Sequence, residues 1–170
     1  GYILDKRWLR KDGEIVHTRV SLRCIRRQDG SIDRMIEVVL DVSDRYRYEA
    51  QLKASEEFLN HTINSIPDPV FVKDEQHRWI LLNDAFCNLI GKRRSELIGK
   101  SGYDFLPPAQ AAYFWQQDEQ VLQRSLAQET EEFFTDGGGQ ERIISTKKTV
   151  FKKADETKML VGTMRDVTEY

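Results

Sequence analysis

An internal repeat constrains this chain more than any other feature of its 170 residues. Residues 8–45 and 132–169 follow one plan: a short apolar stretch, an Asp-Gly turn, a long polar and β-branched stretch, a polar turn and an apolar stretch. Asp41 in the first copy corresponds to Asp166 in the second, which sets the offset at about 125 residues. Each copy therefore predicts antiparallel strands joined by short turns.

The segment between the copies begins with a predicted helix at residues 44–64, a stretch without glycine or proline. Ser43 is placed to cap this helix, and Asp44 is placed to complement its dipole. Residues at alternating spacings of four and three form a stripe along it: Tyr48, Leu52, Ser55, Leu59, Thr62 and Ile66. The stripe predicts a coiled-coil seam between two chains. The alternative is a helix packed on its own domain.

Short strands and helices alternate in the rest of this middle segment. The predicted elements, in order, are strands at 70–72 and 79–82 and helices at 85–90, 95–98 and 107–128. Asn83 or Asp84 can cap the first of these helices, and Gly91 ends it. Pro107 and Pro108 fit the first turn of the last helix, because a proline there gives up no helical hydrogen bond.

Several stretches of this segment resemble the opening of a PAS domain. They are Ile66–Asp74 (IPDPVFVKD), Leu82–Phe86 (LNDAF), Ile90-Gly91 and Glu96–Lys100 (ELIGK). Residues 133–169, ending GTMRDVTE, are similar to the PAS-associated C-terminal hairpin, the PAC motif. The resemblance covers residues 63–170. Residues 6–45 resemble only the C-terminal hairpin and final strand of a preceding PAS unit.

The resemblance implies an α+β fold, a five-stranded antiparallel sheet with short helices on one face and a small cavity between them. The expected organisation is a truncated PAS unit at 1–43, a coiled-coil-like linker helix at 44–64 and a complete PAS domain at 65–170. The truncated unit lacks covering helices, so another surface must bury its apolar face. We expect a homodimer through these N-terminal strands and the linker helix, with contacts at Tyr48, Leu52, Leu59 and Ile66.

PAS units that carry a cofactor have characteristic residues that bind it, and the absence of those residues argues against that cofactor. A unit that forms a covalent flavin adduct would show Asn-Cys-Arg-Phe-Leu after Gly99, where this chain has KSGYDFL without cysteine. A haem unit would carry an axial histidine on the long helix, but residues 107–128 contain none. His17, His61 and His77 show no metal-ligand spacing, so no metal site is predicted.

A small organic ligand remains compatible with the sequence. The residues that could line a cavity between sheet and helices are Phe71, Trp79, Asn83, Phe86, Phe105, Phe114 and Trp115. The alternative is that the aromatic side chains fill a solid core and that Asn83 serves only as a helix cap.

The residues predicted to relay a signal are Asp41, Ser43, Asp166 and Thr168. In each copy the final strand gives way to an expected helix at an Asp-Val-Ser/Thr tripeptide. The hydroxyl can cap the outgoing helix, and the aspartate can accept from nearby backbone or from a basic side chain. A shift of the sheet would therefore reach the helix through this joint.

Composition excludes several partners. A net charge of −2 and a pI near 6.0 give no general attraction to nucleic acid. No apolar run approaches the roughly 18 to 20 residues that cross a bilayer. Cys24 and Cys87 form no C-x-x-C pattern, and no secretory leader opens the chain, so we expect a cytoplasmic protein with two buried thiols.

The sequence predicts a sensory or signal-relay module of a multidomain bacterial signalling protein, such as a two-component sensor kinase. Its partner would be the output domain of the same protein, a histidine kinase or a diguanylate cyclase. The first alternative is a ligand-free scaffold for dimerisation or protein–protein contact. The second, a catalytic fragment, lacks any paired catalytic motif, so no catalytic residue is predicted and the fragment itself is expected not to be an enzyme.

Overall fold

The computed structural model describes residues 1–168, and the chain forms two compact units, Gly1–Phe58 and the part from Leu59 onward. The two residues expected to follow Thr168 in an outgoing helix, Glu169 and Tyr170, lie outside the described residues.

The first unit is a three-stranded antiparallel meander of β1 (Tyr2–Leu9), β2 (Ile15–Arg26) and β3 (Ile32–Asp41). The turn after β1 contains Gly13 at φ +88°, a conformation that glycine adopts without strain. Thr18 and Val20, on the central strand, are the buried residues of this unit. Large apolar side chains are more than half exposed at Ile3, Leu9, Met35, Val39 and Leu40. The predicted strands of the first repeat are thus present as a sheet with bare apolar surface.

Helix α1 (Ser43–Asn64) follows β3 directly. It begins at Ser43, so the prediction that Ser43 caps the helix is wrong by one residue. The Val42 carbonyl accepts from the Tyr46 amide, while the Ser43 hydroxyl accepts from the His17 amide on β2. The helix ends before Pro67, which leaves Ile66 beyond it. Ile66 therefore does not continue the predicted stripe.

The second unit contains a five-stranded antiparallel sheet, as predicted. Its elements are β4 (Val70–Lys73), β5 (Trp79–Leu82), α2 (Asp84–Ile90), α3 (Arg94–Leu97), a 3-10 turn (Gly102–Asp104), α4 (Pro108–Arg124), β6 (Gln128–Thr135), β7 (Glu141–Lys152) and β8 (Lys158–Asp166). The strand order is β5-β4-β8-β7-β6. Helix α4 is shorter than predicted, because Ser125 takes a left-handed conformation at φ +52° and ends it.

The helices pack on one face of this sheet and form a single apolar core with it. Leu82, Leu97, Ile144 and Leu160 are almost completely buried in it. Helix α4 contributes Phe114, Val121 and Leu122, which recur at the spacing of one helix face. The same face of α4 also carries the buried side chain of Asp118, on which the candidate site depends.

Candidate functional site: a polar cavity between helix α4 and the sheet

A cavity of about 40 Å³ lies between α4 and the sheet. Five of the seven predicted pocket residues line it: Phe71, Trp79, Phe86, Phe114 and Trp115. The ring of Phe71 packs directly against the backbone of Gly162 on the neighbouring strand β8. A Cβ atom at Gly162 would collide with that ring, so a glycine is required for Phe71 to lie there.

Asn83 and Phe105 do not line the cavity, contrary to the prediction. Asn83 is completely buried as the N-cap of α2, where its Oδ1 accepts from the Phe86 amide at 3.0 Å and from the Val70 amide at 2.8 Å. Its Nδ2 donates to carbonyls of the preceding loop, including that of Asp68. Phe105 packs beside the ring of Trp79 instead. Asn83 thus holds α2, β4 and the loop together.

An ion-pair cluster forms the polar side of the cavity. Asp118 on α4 has its Oδ2 atom 2.5 Å from Lys73 Nζ and its Oδ1 atom 2.8 Å from Lys148 Nζ. The Asp118 side chain is completely buried, and both lysine side chains are at least nine-tenths buried. Lys73 also lies over the ring of Phe71, and Lys148 lies over that of Phe114. The cluster ties α4 to β4 and β7.

Asp118 is the counter-ion of both lysines. Burial by itself would raise the pKa of Asp118, but Lys73, His77 and Lys148 outweigh burial and hold that pKa well below its usual range. Burial lowers the pKa of Lys73, and the charge of Asp118 opposes that shift. Asp118 is therefore ionised at neutral pH.

His77 lies in the turn between β4 and β5, with a positive φ of 61°, and is nevertheless buried. Its ring stacks on Trp115, with centroids 3.8 Å apart and planes at 16°. Its Nε2 atom lies 3.0 Å from a carboxylate oxygen of Glu119, and its Nδ1 atom lies 3.7 Å from Asp118. His77 therefore connects the turn to α4 at the edge of the cavity.

Sequence reasoning missed Lys73, His77, Asp118 and Lys148, although three of them leave a signal. Lys148 follows buried Ile144 and Thr146 at a spacing of two, which places it on the same face of β7. Asp118 follows Phe114 by four residues, which places it on the buried face of α4. Lys73 directly follows the apolar run Val70-Phe71-Val72 and is the last residue of the buried strand β4. No comparable signal indicates that His77 is buried.

Apart from Asp118 Oδ1, which is ion-paired with Lys148, four side-chain atoms of cavity-lining residues are buried without a hydrogen-bond partner among the described residues. They are Trp79 Nε1, Glu132 Oε1, Thr146 Oγ1 and His77 Nδ1. Buried polar atoms in native proteins are usually paired with protein, water or a ligand. These four atoms are therefore available to hydrogen-bond to water or to a ligand.

The predicted joint at the end of β8 has a defined geometry. Asp166 Oδ1 accepts from the Thr168 amide at 3.0 Å and from its hydroxyl at 2.5 Å. The Thr168 hydroxyl accepts from the Ile143 amide on β7. Arg142 NH1 donates to Asp166 Oδ2 at 2.8 Å, and Arg142 Nε donates to Asp136. The Thr168 hydroxyl and amide, with Arg142, lower the pKa of Asp166 to about 2.

The first repeat has the same joint. Asp41 Oδ1 accepts from the Ser43 amide at 2.9 Å, and the Ser43 hydroxyl accepts from the His17 amide. Each hydroxyl thus anchors the long strand of its own sheet. The apolar stripe residues of α1, Tyr48, Leu52 and Leu59, are exposed.

Two other classes of site leave no trace in the described chain. Residues 1–168 contain no cluster of three or more His, Cys, Asp or Glu side chains that could hold a metal ion. Cys87 is buried, and burial raises its thiol pKa, whereas Cys24 is exposed on β2. The prediction that both thiols are buried is therefore wrong for Cys24, because the sheet that carries it is uncovered. Across the same residues, no helix combines the length and apolar character needed to span a bilayer.

Comparison with known proteins gives one family and several relatives. The family model described as PAS fold matches residues 63–170. Protein y4lL of Sinorhizobium fredii is 37% identical over 128 residues, which are 74% of this chain and 15% of that protein. The virulence sensor protein BvgS of Bordetella pertussis is 27% identical over 129 residues, 76% of this chain and 9% of BvgS. This chain thus spans a small part of either relative.

The fold is shared with a solved domain. The structure of the PAS domain of Bordetella pertussis BvgS superposes with a TM-score of 0.57 at 22% sequence identity. The match covers 68% of this chain and 88% of that domain.

Proposed function

Because the chain belongs to the PAS family, we propose that it is a sensory module that binds a small molecule in the cavity under α4 and relays the change to a neighbouring domain. The observation that carries this proposal is the cavity itself, which places four unpartnered buried polar atoms beside aromatic rings. An aromatic wall with a few polar groups is the usual composition of a small-molecule site.

The relay would run through strand β7. Lys148 joins this strand to Asp118 on α4, while Arg142 and Ile143 of the same strand hold Asp166 and Thr168. A ligand that binds beside Lys148 would bias the position of β7 between two states that differ in these contacts. Since Asp166 and Thr168 end the last strand, the change would pass to whatever follows them.

The parent protein is proposed to be a multidomain bacterial signalling protein. BvgS, which this chain resembles, is named as a sensor protein. We assign no catalytic step to this chain; the output would be a histidine kinase or a diguanylate cyclase in the parent. A cytoplasmic location is supported by Cys24 and Cys87, which are both unpaired.

A second candidate function is dimerisation. Strand β3 exposes apolar side chains along its length, among them Met35, Val39 and Leu40, and α1 exposes Tyr48 and Leu52. Monomeric proteins rarely leave a contiguous apolar patch of this kind open to water. We propose that a second copy of the chain covers these surfaces. Such dimerisation is compatible with sensing, and it would be the entire function of a ligand-free scaffold.

Native mass spectrometry of protein purified from its source cells separates sensor from scaffold. A sensor is expected to retain a small molecule that denaturation releases. Ala111 lines the cavity, so Ala111→Leu should fill it and abolish retention. Ala112→Leu, on the exposed side of the same helix, is the matched control and should retain the molecule. Wild-type protein that carries no small molecule would leave the scaffold function.

A further inference from the structure

The cavity has a lining of opposite formal charges in equal number. Lys73 and Lys148 contribute two ammonium groups, and Asp118 and Glu132 contribute two carboxyl groups. All four side chains are buried. Because a net charge brought into a buried site is costly unless it is paired, this lining disfavours both an anionic and a cationic occupant.

The unpartnered atoms also specify which hydrogen bonds an occupant must make. Trp79 Nε1 is a donor only, and therefore needs an acceptor. Glu132 Oε1 is left without a partner, while the other oxygen of the same carboxyl group accepts from Thr130 at 3.1 Å. A carboxylate oxygen accepts hydrogen bonds, so this atom calls for a donor on the occupant. Thr146 Oγ1 can serve in either role.

The volume limits the size of the occupant. By the rule that one buried water needs about 10–15 Å³, a cavity of about 40 Å³ has room for roughly three waters. A ligand of a few non-hydrogen atoms fits the same space, with its apolar part against Phe86, Phe114 and Met164.

We infer that the cavity binds a small neutral molecule that carries both a hydrogen-bond acceptor and a donor, the chemistry of a short primary amide. This inference rests on the proposed ligand-sensing function and adds the class of the ligand. The carbonyl oxygen accepts from the Trp79 indole and the lysines, and the amide N–H donates to Glu132. An acceptor-only molecule would leave Glu132 Oε1 unpaired, which carries a desolvation penalty.

The test uses four probes of the same shape: acetamide, acetate, acetone and acetamidinium. They differ only in charge and in hydrogen-bonding groups. Binding is followed through the indole N–H resonances of protein labelled with ¹⁵N. The Trp79 signal is assigned with Trp79→Phe. Trp8, whose indole donates to Thr18 at 2.6 Å in the first unit, serves as the internal reference.

Acetamide is expected to shift the Trp79 resonance saturably and to bind at least tenfold more tightly than each of the other three probes. Millimolar affinity is the order of magnitude for ligands this small. Glu132→Gln gives the lining a net positive charge, so the preference should move from acetamide towards acetate. Glu131→Gln, on the exposed face of the same strand, should leave the preference unchanged.

Two results would overturn the inference. Tighter binding of acetate, acetone or acetamidinium by the wild-type protein would show that the ligand class is wrong, while ligand sensing itself would stand. The absence of any Trp79 shift with all four probes would also refute the amide class. In that case the molecule retained in native mass spectrometry decides separately whether the cavity binds a ligand at all.

Discussion

Replacing Asp118 by asparagine should destabilise the second unit severely. The substitution keeps the shape of the side chain and removes the negative charge that Lys73 and Lys148 share. Removing one partner of a buried ion pair costs about 3–5 kcal/mol, because the remaining charge is buried without compensation. Here two ammonium groups lose their counter-ion, although Glu132 lies close enough to Lys73 to offset part of the loss. We therefore expect a loss of about 3–5 kcal/mol in the free energy of unfolding.

Urea unfolding at neutral pH measures this loss. A typical domain has only about 5–15 kcal/mol of stability, so the transition midpoint should fall sharply. Asp155→Asn is the matched control. Its carboxylate is largely exposed in a hairpin turn, where it accepts from the Thr157 amide, a bond that asparagine can also accept. That variant should change stability by less than about 0.5 kcal/mol.

A compensating variant identifies the cause of the loss. Replacing the whole cluster by apolar residues, as Lys73→Met, Asp118→Leu and Lys148→Met together, removes all three charges at once. Apolar replacement of a complete buried ion cluster is often neutral or stabilising. The triple variant should therefore be more stable than Asp118→Asn alone. A cost below about 1 kcal/mol for Asp118→Asn would refute the assignment of Asp118 as the counter-ion of two buried lysines.

Four further outcomes are expected. The folded pKa of Asp118 lies below the unfolded value of about 3.9, so the stability that this carboxylate provides is present above pH 3.9 and is lost as the pH falls below it. In urea unfolding at decreasing pH, wild-type protein should therefore lose more stability than Asp118→Asn. Gly162→Ala should lower the free energy of unfolding by about 1–3 kcal/mol in thermal denaturation, because the new methyl group collides with Phe71. Asp166→Ala in the full-length parent should uncouple stimulus from output in an output-activity assay, because it releases Arg142 and Thr168. Leu52→Glu, at an exposed position of α1, should weaken self-association at least tenfold in sedimentation equilibrium.

Each of these has a control or a contradicting result. An acid profile that is unchanged by Asp118→Asn would mean that this carboxyl has an ordinary pKa in the folded protein. Thr163→Ala, the exposed neighbour of Gly162, should be nearly neutral. Asp155→Ala in the full-length parent should leave regulation intact. An equal loss of regulation in the Asp166→Ala and Asp155→Ala proteins would indicate general damage. Self-association that survives Leu52→Glu would exclude the α1 stripe from the interface.

The sheet was predictable because its signals are local. The repeat, the Asp-Gly turns and the alternating strands each fix an element without reference to the rest of the chain, and the structure has strands at those places. The end of α4 was not predictable in this way, because a serine such as Ser125 does not by itself favour the left-handed conformation that ends the helix. The start of α1 differed by one residue, since the Ser43 hydroxyl bonds to a distant strand instead of to its own helix.

The aromatic half of the cavity was predictable and the charged half was not. Phe71, Trp79 and Phe114 have apolar side chains, so burial is the default expectation for them. Lys73 and Lys148 are of a type that is almost always exposed, and only the pairing with Asp118 makes their burial possible. That pairing joins residues that are far apart in sequence and becomes visible only when the helix lies on the sheet.

The most direct test of ligand sensing is a high-resolution crystal structure of protein purified without a refolding step. A bound molecule should occupy the cavity and make hydrogen bonds to Trp79 Nε1 and Glu132 Oε1, which have no hydrogen-bond partner in the part of the chain that the structure describes. Ordered waters alone, satisfying both of these atoms in protein that had retained no small molecule, would contradict it.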